Sequence, residues 1–89
     1  MPQVTFTRNI QRHVSCPACQ VDGTTIGEVL EAAFSANQMA RGYVLDDRGA
    51  LRNHMVVFIN GTAIRDRVSL TDAVPADAEV YVMQALSGG

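Results

Sequence analysis

Lysine and tryptophan are absent from this sequence of 89 residues, and all seven of its basic residues are arginines. The arginines are spread between Arg8 and Arg67 without forming a basic run, and the net charge is −2. Nucleic-acid binding calls for positive charge that is clustered in a stripe or patch. We therefore expect no nucleic-acid partner.

Long hydrophobic runs are absent as well. The longest unbroken apolar run, Met55–Ile59, is far shorter than the roughly 20 residues that a membrane-spanning helix needs. The N-terminal residues show neither the basic leader nor the apolar stretch of a signal peptide. Two cysteines are too few for the disulfide framework of a small secreted protein. We expect a soluble, cytoplasmic protein with no membrane partner.

The composition is typical of one folded domain. Hydrophobic residues make up 47% of the chain and charged residues 18%, which is too apolar for a disordered segment. A chain of this length has room for a single domain. We predict that the domain covers residues 1–86 and that Ser87-Gly88-Gly89 form a flexible C-terminal tail.

Strand patterns occur near both ends of the chain and in its middle. Alternating or short apolar runs predict strands at Val4–Thr7, Gln20–Val21, Met55–Asn60, Thr62–Ile64 and Glu79–Leu86. Asn60-Gly61 is typical of a tight hairpin turn, because both residues tolerate positive φ. The remaining segments predict a loop at residues 8–19, a short extended piece at 43–45, a turn at 46–49 and one helical turn at 70–75.

One amphipathic helix is predicted after Thr25. Thr25 and Glu28 have the spacing of a capping box, in which the hydroxyl and the carboxylate bond to otherwise unpaired backbone N–H groups. An apolar stripe of helical spacing follows, formed by Ile26, Val29, Leu30, Ala33 and Phe34. Asn37 or Gly42 is expected to end the helix.

Together these elements predict an α+β protein of the β-grasp type. Its mixed sheet has four to five strands, and one main helix packs across one face, because an amphipathic helix must bury its apolar stripe. Alternation along two strands places Phe58, Tyr81 and Met83 on the open face of the sheet. We interpret this aromatic and methionine cluster as a docking surface. The alternative is ordinary cross-strand pairing on a solvated face.

The C-terminal segment Val80–Gly89 resembles the last strand and tail of the MoaD/ThiS-type sulfur carriers. Val56–Gly61 and Gly23–Leu30 resemble the third strand and the helix opening of the same family. The resemblance implies a β-grasp fold and a carrier that is not itself an enzyme. It also implies that the carboxylate of Gly89, presented by Gly88, is adenylated and then converted to a thiocarboxylate.

The resemblance implies partners rather than a resident cofactor. ATP is used by a partner adenylyltransferase of the ubiquitin-activating type, which Leu86 and Ser87 are expected to contact together with the docking surface. A rhodanese or cysteine desulfurase supplies the sulfur, and a synthase accepts it. The Ala-x-x-Gly-Gly ending favours carriers that feed cysteine synthesis, with molybdopterin synthesis close behind.

Two other functions remain open. A ubiquitin-like modifier would use the same tail to form an isopeptide bond with a target lysine, although this lysine-free chain cannot build lysine-linked chains on itself. Alternatively, the Cys16-x-x-Cys19 pair could serve as a redox pair, or bind zinc with His13 and His54. We favour the interpretation of both cysteines as loop or packing residues, because the surrounding βα pattern of a redox motif is missing.

Overall fold

The structure is a computed structural model that describes residues 1–12, 14, 17–35 and 37–84. Within these residues the chain forms five strands and three helices. In chain order they are β1 (Gln3–Phe6), α1 (Arg8–Gln11), β2 (Cys19–Gln20), α2 (Ile26–Phe34), α3 (Gln38–Val44), β3 (Met55–Ile59), β4 (Thr62–Ala63) and β5 (Glu79–Gln84).

The five strands form one mixed sheet with β5 at its centre. The strand order is β2-β1-β5-β3-β4. β1 lies parallel to β5, whereas β3 pairs antiparallel with both β5 and β4, and β2 pairs antiparallel with β1. The predicted mixed sheet is therefore confirmed, and the last strand of the chain is held on both sides by other strands.

The hydrophobic core lies between the sheet and α2. The inward side chains of the three central strands and the apolar stripe of α2 are completely or almost completely buried, except Ile59 and Ala33, which are partly buried. Across this interface the rings of Phe6 and Phe34 lie 5.7 Å apart between centroids. Each large apolar side chain buried in this way contributes about 1.5–3 kcal/mol relative to exposure. The main helix thus packs across one sheet face, as the sequence predicts.

The start of α2 follows the predicted cap with one difference. The Thr25 hydroxyl accepts a hydrogen bond from the Glu28 N–H at 3.2 Å. The Glu28 carboxylate accepts from the N–H and hydroxyl of Thr24, at 2.8 and 3.0 Å, one residue before the capping position. These hydrogen bonds are the main reason that the pKa of Glu28 is lowered.

Two further helices correct the sequence prediction. The segment expected to be a loop begins with the single turn of α1, and the expected extended piece at residues 43–45 is wrong because Tyr43 and Val44 belong to α3. Asn37, expected to end the first helix, begins α3 instead: its side-chain oxygen accepts from the Ala40 N–H at 3.2 Å. The same amide chemistry suits both positions, which is why the pattern was ambiguous.

The hairpin between β3 and β4 agrees with the prediction, whereas the helical turn expected at residues 70–75 is wrong. Asn60 and Gly61 both have positive φ, 51° and 86°. Leu70 also has positive φ, 55°, and the backbone after it runs past the start of α2, where Ala73 bridges Thr25. The predicted last strand is present as far as Gln84; Ala85 and Leu86 lie outside the described residues.

No helix in the described part of the chain is both long enough and apolar enough to cross a membrane.

Candidate functional site

The end of β5 is fixed within the sheet. Gln84, its last residue, pairs with Met55 of β3, and two residues earlier the carbonyl of Val82 accepts from the Thr7 N–H at 3.1 Å. Gly88 and Gly89, together with Leu86 and Ser87, lie outside the described residues. Their expected roles stay predictions. What the structure supplies is the place from which this segment starts.

A side-chain contact reinforces the end of β5. The hydroxyl of Tyr43 in α3 donates a hydrogen bond to Oε1 of Gln84 at 2.9 Å. The ring of Tyr43 also meets His54 edge-on, with centroids 6.3 Å apart. Sequence reasoning missed Tyr43, because nothing in the local pattern indicates a partner that lies far along the chain.

The structure brings the three residues of the predicted docking surface together. Phe58 pairs directly with Tyr81, and Val56 pairs with Met83 on the same face. Tyr81 is 42% exposed and Met83 39%, while Phe58 is half-buried between its neighbours. The apolar open face therefore lies along β3 and β5 and reaches the residue next to Gln84. Its role in partner binding stays a prediction.

The strand order does not bring His54 to Cys19, as the zinc alternative would require. Cys19 lies on β2 and His54 just before β3, so they are separated by three strand spacings, roughly 14 Å across the sheet. One zinc ion needs ligands within about 2.3 Å, which these two residues cannot provide together. Among the described residues no group of three metal-ligating side chains occurs; Cys16 and His13 lie outside them.

The redox alternative gains no support from Cys19. Its side chain is half-buried against the core, and this burial raises the pKa of its thiol. A reactive cysteine needs the opposite shift, because the thiolate is the nucleophile.

The arrangement of the sheet and helix defines a class: the protein has the β-grasp fold of ubiquitin-like proteins. No family model matches the sequence, and no curated protein matches it significantly. Solved structures do match it. Small archaeal modifier protein 1 (SAMP1) from Haloferax volcanii shares 27% identity at a TM-score of 0.77, over 99% of this chain and 98% of that one.

Two CysO structures superpose on the chain at least as well. CysO in the BexX/CysO complex from Amycolatopsis orientalis has a TM-score of 0.82 and 17% identity, with both chains covered completely. CysO from Mycobacterium tuberculosis has a TM-score of 0.80 and 17% identity, over 97% of this chain and 100% of that one. At this identity the two CysO structures show the fold.

The resemblance to MoaD/ThiS-type proteins is confirmed by these neighbours, which are ubiquitin-like carrier and modifier proteins of that type. The coverage values mean that the chain matches each of these proteins over nearly its whole length.

Proposed function

We propose that this protein is a sulfur carrier whose C-terminal Gly89 is adenylated by a partner enzyme and converted to a thiocarboxylate. The thiocarboxylate donates sulfur in cysteine, molybdopterin or related cofactor biosynthesis, and the protein acts as a co-substrate rather than an enzyme. One observation carries the proposal: Gly88-Gly89 follow closely after β5, the central strand of the fold that this chain shares with CysO and SAMP1.

The chemistry requires an activating partner. A C-terminal carboxylate has a pKa of about 3.5, so at neutral pH it is an anion and a poor electrophile. A carboxylate oxygen of Gly89 attacks the α-phosphate of ATP, pyrophosphate leaves, and an acyl-adenylate forms. The terminal sulfur of a donor persulfide then attacks the acyl carbon, AMP leaves, and an acyl disulfide forms. A thiol attacks the donor-side sulfur of this disulfide, which releases the thiocarboxylate and leaves the donor as a disulfide. The partner supplies nucleotide, metal and electrostatic stabilisation, so the carrier needs no resident cofactor.

The sequence after Gln84 suits this reaction. Five residues of extended chain reach at most about 17 Å, enough to enter a channel in a partner while the folded domain stays outside. Glycine lacks a Cβ, so Gly88 and Gly89 can pass a narrow opening and bend at the nucleotide. Backbone N–H groups of the partner can hold the terminal carboxylate.

The open face provides the docking surface in this proposal. Phe58, Tyr81 and Met83 give an apolar patch beside the start of the C-terminal segment, and Leu86 and Ser87 extend the contact towards the channel. The activating enzyme is of the ubiquitin-activating type. The sulfur donor is a rhodanese or cysteine desulfurase, and the acceptor is a synthase.

The test is ATP-dependent formation of the carrier–AMP adduct on the cognate activating enzyme, followed by intact mass. We expect the adduct with the natural chain and none with Gly88→Val or with Gly89 deleted, while the urea midpoint of both variants stays that of the natural chain. Gly42→Ala serves as control, because an added Cβ there meets open space. Adduct formation by the two tail variants would overturn the assignment of Gly89.

A ubiquitin-like modifier is the second candidate, and the likeness to SAMP1, whose name describes it as a modifier, favours it. It uses the same adenylated Gly89 but transfers the acyl group to a lysine amine of a target. The two functions differ in product: a modifier yields a covalent conjugate with another protein, whereas a carrier yields a thiocarboxylate of nearly unchanged mass.

A further inference from the structure

Arginines that are scattered along the sequence gather around the end of β5. On the β1 side, the N–H of Thr7 donates to the carbonyl of Val82 at 3.1 Å, so Arg8, the next residue and the first of α1, lies near the end of β5. Arg8 begins α1 and Arg12 closes it, and both are exposed. One flank of the end of β5 therefore carries two guanidinium groups.

Three more arginines lie on the β3 side. Arg52 shortly precedes Met55, the residue paired with Gln84, and its Nε donates to the Gly42 carbonyl at 2.9 Å. Arg67 contacts the residue just described: its Nη2 donates a hydrogen bond to the carbonyl of Arg52 at 2.8 Å. Arg48 and Arg52 line one shallow cleft of about 300 Å³. We name Arg8, Arg12, Arg48, Arg52 and Arg67 the arginine collar.

Acids lie beside the collar but are fewer than its arginines. Asp46 and Asp47 oppose Arg48 and Arg52 in the shared cleft, and the carboxylate of Asp46 also accepts hydrogen bonds from the backbone N–H groups of Arg48 and Ala50. Asp66 is next to Arg67 in sequence, yet its carboxylate faces the 68–71 loop, where it accepts four hydrogen bonds. The collar thus outnumbers the acids beside it.

At the opposite end of the sheet lie Glu79 and Asp77, and the N-terminal ammonium offsets part of their charge. Glu79 begins β5 beside Gln3, and Asp77 lies 3.6 Å from the amino group of Met1. The chain has a net charge of −2, so the overall balance hides this separation. The arginines therefore lie at the end of the domain from which the C-terminal segment starts. When this segment enters a partner, the same end of the domain faces the partner's surface.

The reach of the C-terminal segment indicates what the collar meets. The terminal carboxylate can lie as much as about 17 Å from Gln84, so when the segment is extended the collar stays well behind the reacting phosphate. It then faces the protein surface around the channel entrance rather than the nucleotide. Guanidinium groups bind carboxylates with paired hydrogen bonds, so the complementary surface is one rich in Asp and Glu.

We propose that the arginine collar docks on an acidic surface that surrounds the tail channel of the activating enzyme. The proposal rests on the carrier function described above and adds the charge of the partner surface. A protein partner fits better than nucleic acid, because the collar adjoins the apolar open face of Phe58, Tyr81 and Met83, and Asp46 and Asp47 interrupt it.

The experiment measures binding of the full chain to the purified activating enzyme without ATP, at about 50 mM and about 300 mM salt, together with KM and kcat for adduct formation. Arg8→Glu and Arg48→Glu are each expected to raise Kd and KM by about tenfold at low salt, less at high salt, with kcat unchanged. Asp77→Arg alone leaves both constants unchanged. Arg48→Glu combined with Asp77→Arg restores the net charge of the natural chain but is expected to keep the raised Kd. Such a result shows that affinity depends on where the positive charge lies and not on the net charge.

Three results would overturn the collar proposal. The first is a Kd that the arginine substitutions do not change, and the second is an increase in Kd for Asp77→Arg as large as that for Arg48→Glu. The third is binding of a mixed-sequence RNA oligonucleotide that the arginine substitutions abolish while binding to the enzyme persists. The carrier function fails differently, through the absence of any adduct with the natural chain. Because binding is measured without ATP, the collar is tested in either case. Urea midpoints equal to that of the natural chain show that the variants are folded.

Discussion

The hydroxyl of Tyr43 donates a hydrogen bond to Oε1 of Gln84, and this contact joins α3 to the end of the central strand. Backbone pairing with Met55 holds the same residue from the sheet side. The C-terminal segment therefore starts from a residue that two separate elements fix.

Removing the hydroxyl is expected to loosen the end of β5. Tyr43→Phe loses one hydrogen bond, which corresponds to about 0.5–1.5 kcal/mol in the free energy of unfolding. Amide hydrogen exchange at Met83 and Gln84 is expected to accelerate more than exchange at Val80. Ser35→Ala is the control, because it also removes a hydroxyl that makes one hydrogen bond of 2.9 Å, at the end of α2. Faster exchange throughout the sheet would instead indicate a general loss of stability.

The open face is tested with two methionines of different position. Met83→Ala is expected to weaken binding to the activating enzyme by about tenfold, because buried interface side chains can each contribute more than about 1 kcal/mol. Met39, which is 76% exposed on α3, provides the matched control Met39→Ala, with no expected change in affinity. Phe58→Ala is expected to weaken the free energy of binding to the activating enzyme by more than it lowers the free energy of unfolding. Calorimetric titration measures the affinities, and equal effects at Met83 and Met39 would exclude the docking surface.

The cap of α2 is expected to stabilise the whole domain, since this helix covers the core. Thr25→Ala removes the oxygen that accepts from the Glu28 N–H and is expected to cost about 1 kcal/mol. Urea denaturation measures the loss as a lower midpoint at unchanged slope. Ser69→Ala, at an exposed loop position, is expected to leave the midpoint unchanged. A Thr25→Ala midpoint equal to that of the natural chain would contradict the capping role.

Acid is expected to destabilise the fold through its hydrogen-bonded carboxylates. The pKa of Asp66 is lowered to about 2, first by the Thr71 hydroxyl and then by the Ser69 N–H. In the unfolded chain aspartate titrates near pH 4, so the stabilisation is fully present above about pH 4 and disappears as the pH falls towards about 2. The pKa values of Asp46 and Asp72 shift in the same direction, because backbone N–H groups bind them.

The measurement is the urea midpoint between about pH 5 and pH 2. We expect it to fall with pH in the natural chain and to fall less steeply in Asp66→Asn. Asp47→Asn, at an exposed position in a different loop, is expected to show the same dependence of the midpoint on pH as the natural chain. Identical slopes for the natural chain and Asp66→Asn would show that Asp66 does not contribute to acid sensitivity.

The sequence predicts well those elements whose cause is local. Asn60-Gly61 specifies its hairpin turn, and Thr25 with Glu28 marks the start of α2, since each depends on residues within one turn. Helix α3 was missed because Asn37 suits the end of one helix as well as the start of the next. The turn at Leu70 was missed because the Asp66 carboxylate, rather than intrinsic propensity, shapes that loop.

The candidate site divides in the same way. Strand alternation was sufficient to place Phe58, Tyr81 and Met83 on one face. The contact of Tyr43 with Gln84 and the arginine collar depend instead on strand order, which brings together residues from distant parts of the chain. The arginines are scattered in the sequence, and only the parallel pairing of β1 with β5 brings Arg8, which follows β1, near the end of β5.

The intact mass of the protein after incubation with cell extract, ATP and a cysteine sulfur source tests the central claim most directly. The account predicts a species about 16 Da heavier, because sulfur replaces one carboxylate oxygen, and its absence when Gly89 is deleted. A covalent conjugate with another protein as the only product would indicate a modifier. An unchanged mass, or the loss of two hydrogens from Cys16 and Cys19 alone, would contradict the sulfur-carrier function.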